Sequence, residues 1–158
     1  MARKLRSGRG QAIIEFAYVL PLMVVIALGI IEFGVLFYNQ AMITNASREG
    51  ARIGMTFQTD SGGNYWSEAQ MKADVHQTVN DYLQGRLLSF GPLGTITAEA
   101  ARSGIVDLDG IDYFDYALGN IGTVTVTVAY QHSYLTIPDF FGWANTINLS
   151  AEATMRLE

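Results

Sequence analysis

The run from Phe16 to Tyr38 constrains this chain more than any other stretch. Phe16 to Ile31 carries no charge, Glu32 interrupts, and Phe33 to Tyr38 is apolar or aromatic again. As a helix it would extend about 34 Å, enough to cross a hydrocarbon core of roughly 30 Å. A soluble core helix has no need of so much unbroken apolar surface. Arg3, Lys4, Arg6 and Arg9 precede it with no acid among them. Positive flanks stay in the cytoplasm, so the N-terminus is expected inside and the bulk of the chain outside.

Two acids sit in or beside this run. A carboxylate in a hydrocarbon span is costly and needs a partner. Glu15 reads in two ways. It is an interfacial acid helped by the N-terminal helix dipole, or it is neutralised by another group. If the chain were cut between Gly10 and Gln11, Gln11 would carry a new α-amino group and Glu15 would become the fifth residue. A neighbouring copy's amine would then meet the carboxylate. Glu32 lies about 25 Å further along the helix and points about 100° away. The two acids therefore cannot form a catalytic pair, and Glu32 reads as an acid at the outer boundary or a subunit contact. Pro21 removes a backbone donor within the span and predicts a kink. A secretory signal peptide is the rival reading, but the apolar segment is too long and no small-x-small cleavage site follows closely.

The helix is expected to continue beyond the span, because Asn39 to Thr56 contains no proline. Ala46, Gly50 and Gly54 recur every four residues as a stripe of small side chains, which lets another backbone approach closely. Arg48 and Arg52 share a different face, and Glu49 can pair with Arg52. That face is either simply solvated or a docking surface.

Gly10, Glu15 and Phe16, after a short basic leader and before an apolar helix, resemble the processing region of type IV prepilins. RGQAIIEFAYVLPL, IIEFG and NASREGARIG are similar to the N-terminal region of TadE-family pseudopilins of the tight-adherence pilus. The resemblance spans about residues 8 to 55, and no motif is recognised beyond it. It implies a subunit cut by a prepilin peptidase and held in membrane lipid of the bacterial inner membrane. Its other partners would be pilin and pseudopilin subunits, in a homo- or hetero-oligomeric filament, and an inner-membrane assembly platform. Glu15, Phe16, Pro21 and Glu32 are then the expected assembly residues. Ala46, Arg48, Glu49, Gly50, Arg52 and Gly54 are the expected packing or docking residues. The resemblance implies no cofactor.

The expected organisation is a leader at 1–10, a transmembrane helix at 11–38, its exported continuation at 39–57 and an extracytoplasmic unit at 58–158. The net charge of −5 hides an asymmetry: residues 11–158 hold six basic and fifteen acidic groups, a net charge of −9. Such a surface without a basic cluster argues against nucleic acid as a partner. With no cysteine, disulfides, thiol catalysis and thiolate metal sites are absent.

Gln58 to Asn64 reads as a loop. Ser67 to Leu88 reads as a second helix, with capping-box spacing between Ser67 and Gln70. Its apolar stripe is Met71, Val75, Val79, Tyr82 and Leu83, with His76 beside it as a structural residue. From Pro92 the period becomes two. Thr95 to Ala101, Thr123 to Tyr130 and Thr146 to Leu157 alternate as antiparallel strands with one buried face. The fold class is therefore α+β: a long helix, a second helix, then a sheet, with the small-residue stripe covering the sheet.

Two segments interrupt the strands. Asp107, Asp109, Asp112 and Asp115 form either a solvated acidic loop or a weak candidate calcium site, whose spacing departs from the EF-hand. Leu135 to Trp143 places Phe140, Phe141 and Trp143 either against the sheet edge or on a partner surface. The sequence lacks G-x-S-x-G, P-loop and H-E-x-x-H motifs, so it does not read as an enzyme. The alternative to a pilin-like subunit is a membrane-anchored extracytoplasmic binding domain that does not assemble.

Overall fold

The computed structural model describes residues 7–56, 67–103, 105–108, 111–114, 122–134 and 146–156. Helix α1 (Ser7–Gly54) is unbroken and runs through Pro21. Helix α2 spans Glu68–Leu83, and the strands are β1 (Ile96–Ser103), β2 (Ile105–Leu108), β3 (Ile111–Phe114), β4 (Thr123–Ser133) and β5 (Thr146–Arg156). Strands β1, β4 and β5 form an antiparallel sheet with β4 in the centre. Long helix, second helix and antiparallel sheet make the expected α+β arrangement.

Helix α1 has two unlike halves. From Gly10 to Ile31 no residue is buried, and just 6% of its most apolar window is covered by the rest of the chain. A core helix of a soluble protein would be mostly covered; this one is long and apolar enough to cross a membrane. From Glu32 onward one face is buried at Glu32, Asn39, Ile43, Ala46, Ser47, Gly50, Ala51 and Gly54. The spacing of these residues is that of a single helical seam.

The seam is built from small residues because two other elements press on it. A Cβ on Gly50 would stand 3.0 Å from Val79 Cγ2 and 3.2 Å from Val126 Cγ1; one on Gly54 would stand 2.9 Å from Val124 Cγ1. The stripe thus lies between α2 and β4. Val124, Val126, Val128 and Tyr130 of β4 and Met71, Val75, Val79 and Leu83 of α2 complete the core. Alternation supplies the strand face and helical period supplies the α2 face. At the far end of α1, Arg102 donates to Gly54 O at 3.2 Å, a cation on a C-terminal carbonyl as the helix dipole favours.

Gly54 meets Val124 at one end, and Glu32 meets His132 at the other. The helical rise between Glu32 and Gly54 is about 33 Å and the strand between Val124 and His132 about 26 Å, so α1 and β4 run side by side in opposite directions.

Three expectations need correction. Helix α2 starts at its capping box as expected, with Gln70 N donating to Ser67 Oγ and Ser67 N donating to Gln70 Oε1. It ends at Leu83 rather than Leu88. Gly85 turns the chain with φ +72, and Leu88 bonds to α1 instead. The acidic interruption is partly ordered as strands: β2 and β3 pair as a hairpin with Asp107 and Asp112 directly opposite, while Asp109 and Asp115 lie outside the described residues. Finally, β4 continues past Tyr130 to Ser133. The expected loop at 58–64 and the aromatic segment at 135–143 lie outside the described residues.

Val side chains have stiff χ1 angles, so Gly50 and Gly54 tolerate no added methyl without displacement. Gly50→Ala and Gly54→Ala should each lower stability by about 1–3 kcal/mol despite alanine's better helix propensity. Gly34→Ala, with nothing within 4 Å of the new Cβ, should not. Thermal unfolding of the detergent-solubilised chain, followed by circular dichroism, measures all three.

Candidate functional site

The residues expected to carry function fall into two zones along α1. In the uncovered half, Gly10 and Gln11 lie inside the helix, and Gln11 Nε2 donates to Glu15 Oε1 at 3.1 Å. Glu15 and Phe16 are exposed. Nothing stands within 4 Å of a Cβ on Gly10. This zone is an open apolar cylinder with one carboxylate near its start.

The second zone lies where the covered half begins. Glu32 was expected at a solvent or subunit boundary, but it is 5% exposed. Its Oε1 lies 3.3 Å from Nε2 of His132, which is fully buried. On the other side of the ring, Nδ1 lies 3.3 Å from Asn39 Nδ2. Asn39 grips Leu88 through both backbone groups: Nδ2 donates to Leu88 O at 2.7 Å and Oδ1 accepts from Leu88 N at 3.0 Å. These two bonds fix which end of the amide faces the imidazole. The amide therefore presents an N–H to Nδ1, so Nδ1 is the acceptor and the ring proton resides on Nε2, where it is donated to Glu32. The physical reason for the correction is this chain of donors and acceptors, which satisfies a carboxylate removed from water.

Aromatic side chains enclose the ring. Tyr134 meets it edge-on at 5.9 Å between centroids, and Tyr130 lies 6.2 Å away, tilted. Burial pushes the Tyr134 phenol above its ordinary value, and the negative charge of Glu32 pushes in the same direction. Tyr130 is 1% exposed and its hydroxyl has no hydrogen-bond partner among the described residues.

Sequence reasoning missed Asn39, Leu88 and His132. One signal was present. Asn39 is seven residues after Glu32 and shares its face with Ile43 and Gly50. Two polar residues on the seam that becomes buried require partners. His132 continues the apolar side of β4 two places beyond Tyr130, but nothing in sequence links it to a helix 100 positions away.

The remaining expected residues separate cleanly. Ala46, Gly50 and Gly54 are consumed by packing inside the chain. Arg48 and Arg52 face outward. Arg52 holds Glu49 through two hydrogen bonds of 3.0 and 2.5 Å, and these hold the Glu49 carboxyl below its ordinary value. An open cleft of about 600 Å³ between α2 and β1 is lined by Lys72, His76, Glu99, Thr125 and Thr127. Its histidine and Thr125 hydroxyl are bonded to Asn80 and Thr154. Among the described residues no group of three metal-ligating side chains stands together.

The uncovered helix, its acid and the α1 side of the buried junction, Glu32 and Asn39, fall in the one recognised segment of the chain, whereas Leu88 and His132 do not. The family model of TadE-like proteins matches residues 10–52. The first helix is TadE-like. The match begins at Gly10 and ends within the last turn of α1, so α2 and the sheet lie outside it. Comparison with curated proteins and with solved structures gives no match. The matched helix is also long and apolar enough to cross a membrane once.

Removing the amide of Asn39 strands two backbone groups and the imidazole together. Asn39→Leu should cost about 2–4 kcal/mol, since each buried unsatisfied polar group costs about 1–3. Tyr130→Phe, which deletes an unpartnered hydroxyl, should be neutral or stabilising by up to about 1 kcal/mol. Denaturant unfolding of each variant in detergent checks both.

Proposed function

We propose that the chain is a pilin-like subunit (a pseudopilin or minor pilin) of a tight-adherence pilus, made as a precursor and anchored in the bacterial inner membrane. The observation that carries the reading is the TadE-like helix in whose first half, Gly10 to Ile31, no residue is buried. A helix bare over Gly10 to Ile31, about 33 Å long, matches a hydrocarbon core. In a filament the same surface would be covered by the helices of neighbouring subunits.

On this reading residues 1–10 are a cytoplasmic leader. A prepilin peptidase cuts between Gly10 and Gln11, and the α+β unit is extracytoplasmic. Glu15 is the one acid of the uncovered half, and the new amine of a neighbour's Gln11 neutralises it as subunits assemble. Phe16 and Pro21 shape that contact. Glu32 has its carboxylate beside His132 of its own chain, which supports leaving the subunit contact to Glu15, Phe16 and Pro21. Arg48 and Arg52 are the outward charges left for a pilin partner or the assembly platform. The absence of any recognised catalytic motif agrees with a structural role.

A second reading has one observation behind it. The small-residue stripe and Glu32 are used within the chain, which is what a non-assembling anchored binding domain would also do. Processing separates the two readings. The intact mass of the membrane-extracted protein should correspond to a chain beginning at Gln11 when a prepilin peptidase is present, and to the full precursor in its absence. Gly10→Val should block the cut. An uncut chain under both conditions would favour the anchored binding domain.

A further inference from the structure

Outside α1, the described large apolar side chains that stand exposed are Leu88, Phe90, Leu93 and Ile147, at 49, 44, 64 and 37%. All four gather at one end of the α+β unit. Leu88 is bound to Asn39 of α1. Gly91 backs onto Ser133, with 3.4 Å between its would-be Cβ and the serine Cβ. Thr95 O accepts from Gln131 N, and Ile147 is the register partner of His132. His132 in turn touches Glu32, the first buried residue above the bare helix. The turn therefore runs from Asn39 at Leu88 down to Ser133 at Gly91 and back to Gln131 at Thr95, bracketing His132 and so the level of Glu32, where the uncovered apolar surface of α1 ends.

The composition of the turn fits that position. From Leu87 to Ala98 there is no charged residue. Arg86, immediately before it, lies with its guanidinium 4.3 Å over the Tyr82 ring. Apolar tips with a cation just above them suit the headgroup boundary of a bilayer, where aromatic and basic side chains anchor. A water-facing turn has no reason to expose three large apolar side chains where, among the described residues outside α1, just one other large apolar side chain, Ile147, stands exposed.

We infer that the Leu87–Thr95 turn, with Ile147, is a second and shallow membrane contact. It sets the α+β unit down on the lipid interface of the bilayer that α1 spans. The inference rests on the membrane reading of α1, and its consequence is orientational. A helix alone leaves the unit free to swing about its axis, whereas a helix and a lateral apolar foothold fix which face of the subunit points along the membrane.

The chain has no cysteine, so single nitroxide labels can be placed without background. The full chain in phosphatidylcholine–phosphatidylglycerol nanodiscs, at one copy per disc, is labelled at Phe90→Cys, Leu93→Cys, Val25→Cys in the bare helix or Ser103→Cys at the opposite end of the sheet. Collision of each label with oxygen and with a water-soluble nickel chelate is measured. The inference expects Phe90 and Leu93 labels to lose nickel collision and gain oxygen collision relative to Ser103, at a shallower depth than Val25. If Val25 is lipid-embedded while Phe90 and Leu93 match Ser103, the inference is overturned and the anchor stands. Shielding of Phe90 and Leu93 from both reagents would mean protein cover and also overturn it. A nickel-accessible Val25 would remove the anchor itself, and the foothold with it.

Discussion

The structure depends on one buried polar contact, Glu32 to His132, with Asn39 and Leu88 behind it. A carboxylate closed off from water is tolerable when donors face it, and expensive otherwise. That requirement brings the C-terminal end of β4 to the helix. Beside it, Asn39 ties the chain after α2 to the helix, because it takes both backbone groups of Leu88. Below this contact the helix is bare; above it one face is closed. The division of α1 into two halves thus falls where the uncharged run meets Glu32 and where the hydrogen-bonded chain begins.

The rest of the covered half is held by shape. Gly50 and Gly54 let α1 sink between the valines of α2 and β4, and Gln40 adds a side-chain bond from α1 to Ser150 O at 2.9 Å. Dispersion and burial act along the seam, while the polar chain fixes its position along the helix axis. Apolar contacts alone specify register weakly when the surface is smooth and repetitive; a donor–acceptor chain with one satisfying arrangement specifies it strongly. In a chain whose first helix is long and apolar enough to cross a membrane, that position decides how much of the helix is left uncovered.

What could be read in the sequence was local. The apolar run, the capping box of α2 and the alternation of β1, β4 and β5 each follow from neighbours within a few residues. Their elements lie close to where periodicity put them. The small-residue stripe also announced a close contact, and the sheet it covers was named correctly. What could not be read was long-range pairing. Glu32 looked like a boundary acid because its partner is on a strand far along the chain. The early end of α2 comes at Gly85, whose φ of +72 turns the chain. The hairpin of β2 and β3 was hidden under an acidic composition that reads as loop. In the site, the expected processing and assembly residues rest on the family pattern, whereas the junction is visible in geometry alone.

The most direct measurement of this account is the tautomer of His132, read from its imidazole nitrogen shifts in the detergent-solubilised, nitrogen-15-labelled chain at neutral pH. The junction predicts a proton on Nε2, an unprotonated Nδ1, and a hydrogen-bond correlation from the Asn39 side-chain amide to that nitrogen. His76, exposed and bonded to Asn80, serves as the reference within the same spectrum. A proton on Nδ1, or a ring in free exchange with water, would contradict the arrangement. The boundary between the bare and covered halves of α1 would then have to be drawn elsewhere.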